Sequence, residues 1–353
     1  MKITEAIAAV TTQIDLSEHD AYTVMTEIMC GQTTDAQIAA LIAALRVKGE
    51  TEAEITGFAR AVKSGAAKIS THSDELLDTC GTGGDMANTF NISTAAAFVV
   101  SACDVKVAKH GNRSVSSSCG SADVLEALGV RLELSPAAVA GALKEIGITF
   151  MFAPLFHSAM KHAVKARREI GIRTIFNLLG PLSNPAGANY QLLGVYNAED
   201  TERLGKVLMR LGVKRALLVH GTGGLDEIST LGPTRVTEIT GTEMNNYQID
   251  PCLCGLNKAS VKDLQGGNPG ENAVLLQHIF HGKPGPARDI VVINAAAALY
   301  IAGKVPSIKA GIEPACYALD SGQAALKLKQ LIKYTSEVAG KEGGAEQYCS
   351  TAR

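Results

Sequence analysis

Two acids stand side by side, Asp226 and Glu227, just after a glycine turn in the stretch VHGTGGLDEIS (residues 219–229). Hard oxygen donors in that arrangement suit Mg²⁺, which keeps several waters and bonds substrate phosphates at the same time. Paired acids in a loop are more often simply solvated, so the pair gains meaning only from its company. The same GTGG occurs at residues 81–84, inside DTCGTGGDMANTFNIST (78–94). Gly81, Gly83 and Gly84 allow positive φ and close backbone approach, so that several N–H groups can converge on an anion. Asn91, Ser93 and Thr94 then open a helix and add side-chain donors to the positive end of its dipole. The segment lacks the Gly-Lys-Ser/Thr of a Walker loop, and Met86 stands where a dinucleotide fingerprint needs its third glycine. Taken alone it reads equally as a tight structural turn, and Asp85 puts negative charge where a polyphosphate would sit.

Two further stretches supply positive charge. In AKHGNRSVSSSCGSADVLEALG (108–129) a strand-like run enters a glycine turn carrying Lys109, His110 and Arg113, followed by Ser114, Ser116, Ser117, Ser118 and Ser121. Cations among serine hydroxyls suit phosphate oxygens; a flexible serine-rich loop is the plainer alternative. In HSAMKHAVKARREIGIRTIFNLLGPLSNP (157–185) helical spacing puts Lys161, Lys165 and Arg168 on one face, while Arg167 points toward Met160 and Val164. A solvated basic face is the default there. An arginine aimed at a carboxylate is the sharper reading, because its fork is bidentate.

The elements that must position these groups fall into two kinds. The first seventy or so residues are helical by period and by caps, with Ser17 before Asp20, Thr34 before Gln37 and Thr51 before Glu54, and about four helices are expected. Beyond Ser70, strand-like runs at 76–79, 105–108, 191–196 and 216–219 alternate with helical stretches, which implies a parallel sheet with right-handed crossovers and a site at the carboxyl ends of its strands. Residues 234–250 read as an antiparallel hairpin turning near Gly241, helices are expected at 287–302 and 322–338, and the tail from Gly340 is expected to fray. The fold class is α/β: a small all-helical N-terminal subdomain plus a large α/β domain with a mainly parallel central sheet flanked by helices.

Bulk properties bound the partners. The 353 residues carry 33 Lys+Arg against 35 Asp+Glu, a net charge of −2, which offers no global field for nucleic acid or an anionic membrane. The apolar run at 291–302 is broken by Asn294 and is shorter than the ~18 residues of a membrane span. With no secretory start, a soluble cytoplasmic protein is expected. The eight cysteines are scattered, and Cys252 and Cys254 lack the two-residue spacer of a zinc or redox motif.

Taken together, GTGGD…NTFNIST, KHGNRSVSSSCGSADVLEALG, GTGGLDEIS and RREIGIRTIFNLLGPLSNP resemble the anthranilate phosphoribosyltransferase family, in the right order and over nearly the whole chain. The resemblance implies transfer of a phosphoribosyl group from 5-phosphoribosyl 1-diphosphate to anthranilate, with release of pyrophosphate. It implies that Gly81, Gly84, Asp85, Thr89, Asn91, Ile92, Ser93, Thr94, Lys109, His110, Gly111, Asn112, Arg113, Ser114, Val115, Ser116, Ser117 and Ser121 surround the diphosphate substrate. Lys109, Arg113 and Asp85 would assist the chemistry, Asn112 and Arg167 would bind anthranilate with Gly81 close by, and Ser93, Asp226 and Glu227 would hold two Mg²⁺ per subunit. It further implies a homodimer joined through residues 1–72 with a piece near 170–188, the catalytic domain taking 73–169 and 189–353. Ser158 departs from the family, whose members usually have proline after the histidine. A pyrimidine nucleoside phosphorylase shares the architecture, but the Asp226–Glu227 pair and Asn112–Arg113 argue against it. A non-catalytic nucleic-acid-binding relative would need a basic surface stripe that a net charge of −2 does not suggest.

Overall fold

The computed structural model describes residues 1–71, 75–84, 87–114 and 118–350, with side chains to residue 340. The chain opens with α1 (Ile3–Thr11), α2 (Glu18–Met29), α3 (Asp35–Lys48) and α4 (Glu52–Ser64). The caps read from the sequence are formed: Ser17 accepts from Asp20 N, while Thr34 with Gln37 and Thr51 with Glu54 make reciprocal capping boxes that satisfy two otherwise unpaired donors each. There follow β1 (Leu77–Gly81), α5 (Ile92–Ala102), β2 (Val107–Gly111), α6 (Ser121–Ala127), α7 (Pro136–Glu145), β3 (Ile148–Phe152) and α8 (Ala153–Phe156). Next come α9 (Lys161–Ile170), α10 (Phe176–Leu182), β4 (Tyr190–Gly194), α11 (Asp200–Arg210) and β5 (Arg215–Gly221). The hairpin β6 (Thr234–Thr240) and β7 (Glu243–Ile249) precedes α12 (Pro269–Phe280), α13 (Pro286–Ile301), α14 (Ile308–Asp320) and α15 (Gln323–Ser350).

The strands form one sheet in the order β3-β2-β1-β4-β5-β6-β7. β3 through β5 run parallel and the last two pairings are antiparallel. Chain order reverses on either side of β1, so the topological switch point lies between β1 and β4, where Gly81 pairs with Gly194. The strand β3 carries no alternation in ITFMF because all five of its residues are buried, which is why periodicity did not reveal it. The closing helix runs to Ser350, past the expected frayed start of the tail.

Alternate residues of the central strands feed two cores. Leu192, Leu217 and Val219 pack with α5, α12, α13 and α14, whereas Leu193, Ala216 and Leu218 pack with the N-terminal helices, α10 and α11. The bundle core is therefore continuous with one face of the sheet. Contact with the bundle begins before residue 170, since α9 already packs on α2 and α3, and Lys165 pairs with Asp35 at 2.9 Å. Among the described residues no helix is long and apolar enough to cross a membrane.

Candidate active site

The loop after β5 brings Asp226 across the switch point. A Cβ on Gly194 would overlap the Asp226 carbonyl, and one on Gly81 would overlap its carboxylate, with Cγ 2.9 Å away. Both strands must therefore end in glycine for the acid to lie there. Asp226 Oδ2 accepts from Gly83 N at 2.9 Å, and Glu227 Oε1 accepts from Ser93 N at 3.1 Å, in the first turn of α5. The acid pair thus ties the glycine turn to the helix N-terminus that the sequence marks as an anion cradle. Lys109, 4% exposed in the middle of β2, donates to the Thr79 carbonyl and to Ser93 Oγ at 3.2 Å. Burial pushes its pKa down, opposed by the charges of Asp78, Glu227 and Asp226.

The Asp226 loop is held from beneath by Asn294, the residue that breaks the apolar run of α13. Its side chain is fully buried, accepts from Ile228 N at 2.9 Å and donates to the carbonyls of Ile228 and Ile290 at 2.9 and 2.8 Å. Asp78 does similar work inside β1, accepting from Asn184 Nδ2 at 2.8 Å and from His110 N at 3.3 Å. Sequence reasoning gave neither residue a role. The signal was there, as a lone polar residue in an otherwise apolar element that must be buried and so must be satisfied.

The second loop closes on itself. Ser121 Oγ and Ala122 N donate to the Asn112 carbonyl, while Ser114 N and Gly120 N both reach Asp123 Oδ2 at 2.9 Å. Arg113 pairs with Asp123 at 3.1 Å and with both Glu126 oxygens at 2.8 and 3.1 Å, and these partners raise its pKa. Its guanidinium is thereby held on α6, 5.5 Å from the ring centroid of Phe152 at the end of β3. Asn91 donates to Cys119 O and accepts from Asn272, Thr89 bridges to Gln265, and Ile92 and Thr94 are buried in α5. Asp85, Val115, Ser116 and Ser117 lie outside the described residues.

Beside these loops opens a cleft of about 340 Å³ lined by Gly81, His110, Asn112, His157, Arg167 and Phe176 among others. The Arg167 guanidinium lies 5.0 Å from the Phe176 ring centroid, burial lowers its pKa, and among the described residues no carboxylate pairs with it. A cation so placed is under-satisfied and suits an incoming carboxylate. His110 and His157 meet at a tilt of 59° with ring centroids 5.0 Å apart; burial pushes them down to about 3 and about 4, so both are neutral at pH 7. His110 Nδ1 lies 3.2 Å from the Gly180 carbonyl, which fixes the proton on Nδ1 and leaves Nε2 an acceptor without a partner among the described residues.

Among the described residues no three His, Cys, Asp or Glu side chains cluster tightly enough to hold a metal alone. Two carboxylates with the Ser93 hydroxyl nearby are instead the sparse, hard-oxygen set that Mg²⁺ accepts when water and phosphate complete its shell.

Comparison with known proteins places the chain as a whole. The glycosyl transferase family a/b domain matches residues 73–325, and the glycosyl transferase family helical bundle domain matches residues 4–66. An anthranilate phosphoribosyltransferase from Syntrophobacter fumaroxidans is 52% identical over 335 residues, covering 95% of this chain and 99% of that one. The crystal structure of the Thermus thermophilus anthranilate phosphoribosyltransferase superposes with a TM-score of 0.89 at 44% identity, covering 94% of this chain and 99% of its own. The Saccharomyces cerevisiae enzyme in complex with PRPP and Mg gives 0.88 at 28% identity, covering 95% and 98%, and it has also been solved with 4-fluoroanthranilate. The chain belongs to the anthranilate phosphoribosyltransferase family.

Proposed function

We propose that this chain is a Mg²⁺-dependent pentosyltransferase of tryptophan biosynthesis, moving the 5-phosphoribosyl group of 5-phosphoribosyl 1-diphosphate to the amine of anthranilate with release of pyrophosphate. One observation carries the reading. Arg167, an arginine without a carboxylate partner among the described residues, shares a cleft with Gly81 and Asn112, and Gly81 abuts the Asp226 carboxylate at the phosphate-type loop. A carboxylate pocket thus adjoins a diphosphate pocket at the switch point of the sheet.

In this reading Arg167 pairs with the anthranilate carboxylate and Asn112 hydrogen-bonds it. The amine, neutral at pH 7, faces ribose C1. The start of α5 receives diphosphate oxygens, with Gly83 N and Ser93 N exchanging their present acceptors, Asp226 and Glu227, for them, while buried Lys109 fixes Ser93 Oγ and adds positive potential behind it. Asp226, Glu227 and Ser93 would hold the metal, two ions per subunit. When bound, Mg²⁺ would supply charge neutralisation for the departing pyrophosphate. His110 Nε2, an acceptor that stays neutral, can take a hydrogen bond from the amine but cannot hold its proton. Arg113 contributes only after exchanging Asp123 and Glu126 for phosphate oxygens. Asp85 would take ribose hydroxyls or metal-bound water. Positioning two substrates supplies about 7 kcal/mol or more by effective molarity.

The same reading takes residues 1–72 with 170–188 as the helical domain that joins two subunits, and 73–169 with 189–353 as the catalytic domain. Mixing the protein with anthranilate, 5-phosphoribosyl 1-diphosphate and Mg²⁺ should extinguish anthranilate fluorescence; folded protein that leaves the signal unchanged overturns the assignment.

A further inference from the structure

The residues 171–175 that connect α9 to α10 place Arg173 against the first glycine loop. Its Nη1 donates to the Gly83 carbonyl at 2.5 Å, and its Nη2 to the Thr82 carbonyl at 3.3 Å. The guanidinium also lies 4.5 Å from the ring centroid of Tyr196, just beyond β4. Tyr196 N in turn donates to Thr82 Oγ1 at 2.9 Å, so three segments meet at this corner.

A trans peptide is planar, and its C=O and N–H point in opposite directions. Holding the Thr82 carbonyl toward Arg173 therefore turns Gly83 N–H the other way, which is where it is found, 2.9 Å from Asp226 Oδ2. By the same geometry, holding the Gly83 carbonyl turns Gly84 N–H toward the Asp226 side. Gly83 and Gly84 have φ of +64° and +77°, conformations in which glycine flips cheaply between peptide orientations, so nothing intrinsic to the loop selects one. A Cβ at position 84 would meet the tip of Arg173, with Cζ 2.9 Å away, so a larger residue there must displace the guanidinium as well as adopt a positive φ.

We propose that Arg173 is a positioning residue for the diphosphate substrate: by gripping two successive carbonyls it turns two successive amides to the Asp226 side of the loop, where the first now donates to Asp226 Oδ2 and both would face the diphosphate. The proposal rests on the function inferred above. It also explains how the bundle reaches the phosphate loop, since α9 packs on α2 and α3 and α10 packs on α4, with Arg173 between them.

The test is titration calorimetry of 5-phosphoribosyl 1-diphosphate with Mg²⁺ on the full chain, alongside steady-state kinetics in which each substrate is varied separately. Arg173→Gln should weaken binding of the diphosphate substrate and raise its KM about tenfold, with the anthranilate KM within about twofold of the parent. Arg173→Lys, which keeps the charge but cannot bridge two carbonyls, should recover part of the loss, and it gives the same comparison if the glutamine variant does not fold. An unchanged dissociation constant, or equal weakening of both substrates together with a lowered unfolding midpoint, overturns the proposal. A parent protein that binds the diphosphate substrate but does not consume anthranilate would sink the functional reading and leave the role of Arg173 still measurable by calorimetry.

Discussion

At the residue scale the proposed function has the two substrates handled by different kinds of charge. Arg167 offers a forked cation in a partly apolar cleft, matched to a planar carboxylate, whereas Asp226 and Glu227 offer hard anionic oxygens at the switch point. Removing either should therefore harm a different substrate. Arg167→Ala is expected to raise the anthranilate KM by about 10- to 100-fold while the diphosphate KM holds, the cost of one charge-assisted pair lost from a desolvated site. Asp226→Ala with Glu227→Ala should abolish turnover at any Mg²⁺ concentration yet leave anthranilate binding intact. Separate KM determinations for the single variant and anthranilate fluorescence titration for the double variant check the split. Equal loss for both substrates in both proteins would refute it.

At the element scale the site is made by chain ends that meet. Strands β1 and β4 finish in paired glycines, so the β5–β6 loop can lay Asp226 over them, and α13 props that loop through Asn294. Asn294 is fully buried, out of reach of solvent. Replacing it with alanine leaves Ile228 N–H and two carbonyls buried without the partner they had, so Asn294→Ala should destabilise the protein by about 2–4 kcal/mol. Urea unfolding measures that loss. The variant should also need more Mg²⁺ for half-maximal activity, because the acid pair loses its support; a Mg²⁺ requirement identical to the parent's would limit Asn294 to folding. The bundle helices were legible because their caps are local, each bond spanning three residues. The strand β3 was not, because burial on both faces erases the alternation that announces a strand.

At the scale of the whole molecule, one sheet serves two cores, and the cleft lies where the bundle-side helices α9 and α10 meet the strand ends. Two histidines are enclosed there and carry a consequence for pH. Their folded values of about 3 and about 4 lie below the ordinary 6.5, so between roughly pH 6.5 and 4 the unfolded chain binds protons that the folded one refuses. Their contribution is thus fully present above pH 6.5 and is lost as the pH falls, at up to about 1.4 kcal/mol per pH unit for each histidine. His110→Gln with His157→Gln should give a shallower decline of urea-unfolding stability from pH 7 to 5, and an unchanged slope would show that these rings do not set it. The sequence alone determined the α/β class, the helix caps and the glycine, hydroxyl and acid motifs, because those depend on residue type and short spacing. Which groups face each other was decided only by the tertiary structure. Arg113, read as a phosphate cation, is taken up by Asp123 and Glu126, while Arg173 and Asn294, to which the sequence assigned no role, hold the two loops of the site. The reason is physical: a charge acts on whatever lies within a few ångströms, and packing elements distant in the chain sets that neighbour.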